Sequence, residues 1–199
     1  MSRSTDRRTA LLVAAIEEIA RTGTRGMRID EVAKRADVSP ALIYHHFGDR
    51  SALLQAALEH IGEQADAYTS DAAGAGRDRL LAVLVGEIQD DDAVRTNSAA
   101  WGELRDSAIF DETLRPTISA LTDRWSNDIA DLVRLGQADG SIDGALDADA
   151  LGVRLSAFVE GISGRWLTGT LTTDHARAHL FDTASAILGP PPTPRRRRT

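Results

Sequence analysis

The sequence predicts an all-α protein, with an N-terminal helix-turn-helix domain of three helices followed by a larger helical domain. Apolar residues recur at helical spacing along most of the 199 residues, and no segment shows the apolar-polar alternation of a half-buried strand. Breaks that contain Gly or Pro divide the chain into segments of helical length. Near the N-terminus, a three-residue link joins two short helical segments, which favours a near-perpendicular crossing over an antiparallel pair.

Four helices are predicted in the first third of the chain. The first spans residues 5–21, where apolar residues are spaced i, i+3, i+4 and i+7, and it ends before the stop signals Gly23 and Gly26. The second and third span residues 29–37 and 40–47. The fourth begins at about residue 50 and ends before a Gly- and Ala-rich break.

The third helix has the features of a recognition helix in a helix-turn-helix. Ser39 is expected to cap its start through the side-chain oxygen, and Pro40 suits the first helical position. Ile43 and Phe47 are expected to face inward, since they are four residues apart. Their expected neighbours are Leu12, Ile16, Val32 and Ala33. The residues left facing outward, where the second helix of such a motif meets the DNA major groove, are Pro40, Ala41, Tyr44 and His45.

Five further helices are predicted after the break at residues 72–76. They lie near residues 77–89, 93–108, 111–138, 147–169 and 173–188. The clearest loop is residues 138–147. Residues 189–199 are predicted to form a disordered basic tail, which either is a solvated end or adds non-specific attraction to DNA.

The charge distribution separates a basic head from an acidic body. The net charge is −7, yet residues 1–50 carry nine Arg and Lys against seven Asp and Glu. The arginines of residues 195–198 add four positive charges, which leaves −13 for the rest of the chain. A polyanionic partner is therefore expected to meet the head.

The sequence argues against an enzyme, a membrane protein and a bound cofactor. It contains no Cys, no nucleophile elbow, no phosphate-binding loop and no zinc-protease motif. No signal peptide or membrane-spanning run is present, so a cytoplasmic location is expected. A helical adaptor remains an alternative, although it would not need a recognition helix.

Three groups of residues allow a metal-binding alternative, and for each another interpretation is favoured. His45 and His46 are adjacent on a helix, so their side chains point about 100° apart. His175 and His179 share a helix face, but such surface pairs are common without a metal. The acidic run at residues 90–92 lies at a predicted helix start and is expected to cap that helix.

The run IDEVAKRADVSPALIYHHFGDRSALL resembles the N-terminal domain of TetR-type transcriptional repressors. The family pattern appears as Val32-Ala33, the turn from Ala36 to Ser39, the Tyr-x-x-Phe of Tyr44 to Phe47, and Arg50 with Leu53. Three positions depart from it: Arg28 replaces the usual capping Thr, Asp37 the turn Gly, and Arg50 a Lys. The resemblance implies a regulator, expected to be a repressor, that binds a palindromic operator in double-stranded DNA through residues 1–47.

The predicted DNA contacts combine this pattern with the outward face of the third helix. They are Arg28, Ser39, Pro40, Ala41, Tyr44, His45, His46 and Arg50. Hydroxyl, imidazole and guanidinium groups suit phosphates and base edges. For Tyr44, a half-buried core position is the alternative.

The predicted helix 147–169 has two apolar faces, which suggests self-association. Leu151, Leu155, Phe158, Ile162 and Trp166 lie on one face, and a small-residue stripe opposite them contains Val153, Ala157, Gly161 and Gly164. The resemblance implies that this helix and the last one, 173–188, form a four-helix interface in a homodimer. The alternative is a central helix of a monomer.

Residues 48–188 are expected to bind a small-molecule effector of unknown identity and to dimerise. The segments WGELRDSA, RWSNDIADLV and VEGISGRWL look similar to the ligand domain of the choline-responsive subgroup of the family. The predicted effector-binding residues are Trp101, Arg105, Phe110, Trp125, Phe158, Ile162 and Trp166. The alternative to this interpretation is a DNA-binding protein of the same fold without effector control.

Overall fold

The computed structural model describes residues 3–69 and 74–190, and within these ranges it contains nine α-helices and no strand. The helices are α1 (Arg3–Gly26), α2 (Ile29–Arg35), α3 (Pro40–Phe47), α4 (Arg50–Thr69), α5 (Gly76–Gly86), α6 (Asp92–Ser107), α7 (Arg115–Asp139), α8 (Ala148–Leu167) and α9 (Thr173–Leu188). The predicted all-α fold is confirmed. The basic run at residues 195–198 lies outside the described residues. Within those ranges, no helix is both long and apolar enough to cross a membrane.

The two largest differences from the predicted helix boundaries are at the end of α1 and at the start of α7. The predicted stop at Gly23 is a kink inside α1 rather than its end, because Gly23 adopts φ 73° and ψ 167° and helical geometry resumes to Gly26. Helix α7 starts at Arg115 instead of residue 111. The Asp111 carboxylate there accepts hydrogen bonds from the Thr113 N–H (3.0 Å) and hydroxyl (2.6 Å), a local turn that competes with helix.

The chain forms two compact units. Unit 1 consists of the described residues within 1–66 and 90–121, and unit 2 of those within 67–89 and 122–199. Unit 1 therefore contains α1, α2, α3 and α6 together with most of α4. The division proposed from the sequence, at residue 47, stays a prediction, and the packing of unit 1 extends beyond it.

The core of unit 1 is formed by the apolar faces of its helices. Fully buried side chains at its centre are Leu11, Ile19, Val32, Ile43, Leu53, Leu58 and Leu104. Helix α6 packs along α1 in this core. The core that supports the helix-turn-helix therefore includes a helix beyond the first three.

A buried ion-pair cluster joins α1 to α2. Glu18 is 1% exposed, and its carboxylate accepts from Arg21 at 2.8 Å and from Arg35 at 3.3 Å. Arg35 also reaches Glu17. Burial raises the pKa of the Glu18 carboxyl, but hydrogen bonds and charge from Arg21 and Arg35 outweigh burial and hold the pKa below its usual range. The cluster ties α2 to the helix on which it packs.

Unit 2 contains α5, α8, α9 and most of α7, and two close backbone approaches shape it. A Cβ on Gly76 would lie 2.2 Å from the Gly136 nitrogen, and one on Gly152 would lie 2.2 Å from the Ser126 carbonyl oxygen. The start of α5 is held at the first of these contacts, because Asp139 accepts a 2.6 Å hydrogen bond from the Gly76 N–H. Only glycine fits at these two positions.

Candidate nucleic-acid interface and effector-binding residues

The turn between α2 and α3 is formed by Asp37 in the left-handed region. Its φ is 53°, a conformation that Asp adopts more readily than most residues. The Val38 N–H donates to the Ala33 carbonyl oxygen at 2.9 Å and closes the turn. The substitution of Asp for the usual glycine therefore preserves the crossing of the two helices.

Helix α3 begins at Pro40 as predicted, but its cap differs from the prediction. Ser39 occupies the N-cap position, yet its side chain makes no capping hydrogen bond. The main chain forms the first turn instead, with the Leu42 N–H donating to the Ser39 carbonyl oxygen at 3.0 Å. The prediction of a side-chain cap was wrong, and the hydroxyl is not used by the helix.

The orientation of α3 is confirmed. Ile43 is 1% exposed and belongs to the same core cluster as Leu12, Ile16, Val32 and Ala33. The outward residues Pro40, Ala41, Tyr44 and His45 are all exposed, Tyr44 by 50%. Phe47 and His46 are half-buried, and the His46 ring lies 6.2 Å from the Phe47 ring and 5.6 Å from the His45 ring. One face of α3 is thus free for a ligand.

Arg28 and Arg50 flank this face in different ways. Arg28 is exposed at the N-cap of α2 and makes no side-chain capping bond, as its lack of an acceptor requires. The Arg50 guanidinium turns into unit 1 and donates to the Thr24 carbonyl oxygen. Hydrogen bonds from Thr113, with help from the charge of Arg50, lower the pKa of the nearby Asp111 carboxyl. A DNA contact by Arg50 stays a prediction, and in this structure its guanidinium is engaged.

Thr24 belongs to a polar junction between α1 and α6 that the sequence did not indicate. Its hydroxyl lies 2.5 Å from the Ser107 hydroxyl, and its N–H donates to Glu103 at 3.2 Å. A Cβ on Gly23 would lie 2.9 Å from the Glu103 carboxylate, so the kinked glycine makes room for that carboxylate. The junction borders a cleft of about 600 Å³ that also contains Arg50. These partners are about 80 residues apart, beyond the reach of local sequence patterns.

The start of α1 also lies beside α3, which the sequence analysis missed. Arg7 borders a cleft of about 590 Å³ together with Ser39 and Leu42 from the start of α3. The Arg8 guanidinium carbon lies 5.2 Å from the centre of the Phe47 ring at the other end of α3. Both arginines are exposed. The charge count of residues 1–50 included both arginines, but the sequence did not show that they lie beside α3.

The predicted effector-binding residues are divided between the two units. Trp101, Arg105 and Phe110 belong to unit 1, and Trp125, Phe158, Ile162 and Trp166 belong to unit 2. Phe110 is 77% exposed, and the Arg25 guanidinium lies 5.8 Å from its ring centre. Trp166 is 1% exposed and donates its indole N–H to Thr173 at 2.9 Å. Trp125 and Phe158 are half-buried, and this set of residues stays a prediction.

The predicted apolar faces of α8 are confirmed. Leu151, Leu155, Ile162 and Trp166 are buried, and Phe158 is half-buried. Val153, Ala157, Gly161 and Gly164 are exposed, Val153 by 60%. On α9, Phe181 is 50% exposed and Ile187 38%. The exposed sides of α8 and α9 therefore carry apolar and small residues.

The acidic run before α6 caps that helix as predicted. The Asp91 carboxylate accepts from the Ala93 N–H at 2.8 Å and from the Val94 N–H at 3.1 Å. Among the described residues, no three His, Cys, Asp or Glu side chains are grouped so that they could hold a metal ion.

Two family models match the chain. Residues 11–57 match the model of bacterial regulatory proteins of the tetR family. Residues 76–189, more than half of the chain, match the model of the C-terminal domain of BetI-type transcriptional repressors. The boundary between the two matches falls close to the end of α4.

Similar proteins include two HTH-type transcriptional regulators called BetI. The protein from Burkholderia thailandensis is 28% identical over 186 residues, which cover 91% of this chain and 88% of that protein. The protein from Rhizobium meliloti is 29% identical over 188 residues, which cover 87% and 89%. The similarity thus extends over both units.

Two solved structures are similar in fold and in sequence. A putative TetR-family transcriptional regulator from Rhodococcus sp. has a TM-score of 0.87 and 43% identity, over 93% of this chain and 100% of that one. A putative transcriptional regulator from Saccharomonospora viridis, in complex with choline, has a TM-score of 0.77 and 28% identity, over 89% and 95%.

Proposed function

Since the chain belongs to the TetR family of bacterial regulatory proteins and has a BetI-type C-terminal domain, we propose that it is a cytoplasmic transcriptional repressor. It binds a near-palindromic operator as a homodimer and leaves the DNA when a small-molecule effector binds. The observation that carries this proposal is the outward face of α3, where Tyr44 and His45 are exposed and follow the turn that Asp37 forms.

The contacts proposed with DNA are of two kinds. Tyr44, His45 and His46 are placed to reach base edges or phosphates in the major groove. Arg28 and the free hydroxyl of Ser39 lie at the starts of α2 and α3, where they can bind the backbone. Pro40 and Ala41 add apolar contact. Arg50 also binds a phosphate in this proposal, which requires the phosphate to replace the Thr24 carbonyl oxygen as the acceptor of its guanidinium.

The homodimer is proposed from the exposed sides of α8 and α9. Gly161 and Gly164 have open space around them, and Val153 and Phe181 leave apolar surface in water. The same surface on a second copy would cover these residues by a two-fold axis. Two copies also supply the two recognition helices that a palindrome requires, with half-sites about 34–36 Å apart.

We propose a small organic cation as the effector, with choline as the first compound to test. A similar regulator binds choline, and unit 2 of this chain has half-buried aromatic rings at Trp125 and Phe158. Aromatic faces attract quaternary ammonium groups. Binding would lower DNA affinity by changing the spacing of the two α3 helices, with a coupling of about 1–3 kcal/mol.

Binding to DNA is tested with an operator selected by the protein from a random-sequence library. We expect Tyr44→Ala with His45→Ala to fold normally, because both side chains are exposed, and to lose about 1–3 kcal/mol of operator binding per contact. Footprinting with the selected duplex measures the loss, and Glu59→Ala, at an exposed position of α4, is the matched control. Undiminished specific binding by the double variant would show that α3 is not the reader.

Effector control is tested by titrating choline with and without the selected operator. Choline at about 100 times its Kd should stabilise the protein by about 2.7 kcal/mol. Linkage requires that operator DNA weaken choline binding by the factor by which choline weakens DNA binding. Equal choline affinity in both titrations would refute the sensor role. A chain that binds the operator and no small molecule would instead support the alternative without effector control.

A further inference from the structure

Only part of the positive charge in residues 6–50 can meet a polyanion. Three cations are engaged inside unit 1 by carboxylates or a carbonyl oxygen: Arg21, Arg35 and Arg50. Among the described residues, no carboxylate pairs with the other five, which are Arg7, Arg8, Arg25, Arg28 and Lys34. The available charge therefore lies on α2 and at the two ends of α1, and only the start of α1 lies beside α3.

Arg7 and Arg8 lie at opposite ends of the recognition helix. Arg7 borders the cleft at the start of α3, which is also lined by Ser39 and the Asp37 turn. Arg8 lies over the ring of Phe47, the last residue of α3. Adjacent residues on a helix point about 100° apart, which allows α1 to place one cation at each end of the eight-residue α3.

The position of Arg8 over the Phe47 ring uses none of its N–H donors, and among the described residues no carboxylate pairs with it. A guanidinium above an aromatic ring uses its planar face, while its N–H groups point outward in the plane. Stacking also restricts the side chain before a ligand arrives, which reduces the entropy lost on binding. An exposed, oriented guanidinium of this kind suits a phosphate, which accepts two parallel N–H bonds.

We propose that the start of α1 is a second DNA-contacting element, in which Arg7 and Arg8 bind backbone phosphates on either side of the groove that α3 enters. The inference rests on the proposed DNA binding and adds two residues outside the helix-turn-helix. Phosphate contacts set affinity and register without reading sequence. These two arginines therefore contribute to binding of any duplex, and Tyr44 and His45 select among duplexes.

The salt dependence of binding tests this proposal. Arg7→Gln removes one exposed charge, and Arg8→Met removes the other while a flexible side chain still covers Phe47. Because the proposed homodimer carries each arginine twice, each variant should reduce the slope of log affinity against log salt by about 1.8. Between about 50 and 200 mM salt, the double variant should then lose roughly 150-fold less affinity than the wild type. The ratio of affinities for the selected operator and for a mixed-sequence duplex should not change.

The matched control is Arg134→Gln, which changes the net charge by the same amount but lies on α7 in unit 2. Its salt slope should equal that of the wild type. The proposal is overturned if the double variant keeps the wild-type slope while its thermal unfolding is unchanged, or if Arg134→Gln lowers the slope equally. A wild-type chain that binds neither duplex would refute the proposed function itself, which is a different result.

Discussion

The exposed face of α3 and the exposed faces of α8 and α9 differ in chemistry. On α3 the exposed side chains include a phenol and an imidazole, and the exposed cations Arg7, Arg8 and Arg28 lie on α1 and at the start of α2. On α8 and α9 they include Val153, Gly161, Gly164 and Phe181. The first face fits a hydrated polyanion and the second fits an apolar surface. The two regions thus suit different partners. The following predictions test the contacts that stabilise unit 1 and the surface proposed for the dimer separately.

The largest effect is expected in unit 1, at the buried Glu18. Glu18→Gln removes the charge that Arg21 and Arg35 neutralise and weakens two hydrogen bonds to a charged group, each of which contributes about 1.5–3 kcal/mol. Chemical denaturation should show the loss, and Glu17→Gln, whose side chain is 44% exposed, should cost far less. A loss from Glu18→Gln no larger than from Glu17→Gln would contradict this role for the cluster.

The same carboxylate predicts a pH dependence. Because the folded-state pKa of Glu18 is lower than its unfolded value of 4.5, its contribution is fully present above pH 4.5. The contribution is lost as the pH falls from 4.5 through the folded-state pKa. Glu18→Gln should therefore flatten the decrease in unfolding free energy over this acidic range, as measured by denaturation at a series of pH values.

A smaller effect is expected from Gly161→Leu on α8. Nothing lies within 4 Å of a Cβ built there, so the monomer has room for the leucine, and replacing a helical glycine should stabilise the helix by about 1 kcal/mol. A leucine at a close dimer contact should instead weaken association by about 1–3 kcal/mol. Analytical ultracentrifugation measures the dimer constant.

The control for Gly161→Leu is Gly102→Leu, another helical glycine with open space, on α6 in unit 1. It should leave association unchanged. If both variants dimerise like the wild type, the small-residue stripe is not the interface, and a wild-type chain that sediments at 21.4 kDa would exclude the dimer altogether.

The smallest effect is expected at the junction of α1 and α6. Ser107→Ala removes the partner of the Thr24 hydroxyl beside the cleft and should cost about 0.5–1.5 kcal/mol, the usual net contribution of one hydrogen bond. The double variant Thr24→Val with Ser107→Ala should recover much of this loss. Thermal unfolding of the wild type, the two single variants and the double variant gives the coupling energy between the two side chains. Additive losses would show that the pair is not coupled.

Local patterns predicted the fold and the orientation of α3, but not the contacts between distant segments. Ile43 and Tyr44 could be assigned to opposite sides because an eight-residue helix has one apolar face. Arg50 could not be placed, since its acceptor is the main chain of Thr24, 26 residues earlier. The role of Glu18 could not be predicted either, because its partner Arg35 lies on another helix.

The effector-binding residues were the hardest to predict. Aromatic residues fill cores as well as ligand sites, and the sequence does not separate these two uses. Trp166 illustrates this, since it is buried with its indole N–H bonded to Thr173. DNA has a constant backbone that leaves a recognisable charge pattern in a sequence, whereas a small effector leaves none.

The packing of α6 against α1 has a consequence for synthesis on the ribosome. Ala100 and Leu104 are fully buried in the core that contains Leu11 and Ile19, yet they are translated after the first segment of unit 2. The nascent DNA-reading helices therefore keep an uncovered apolar surface until α6 has left the exit tunnel. We therefore expect chaperones to bind the chain during that interval, and the proposed operator binding to begin only after α6 completes the core.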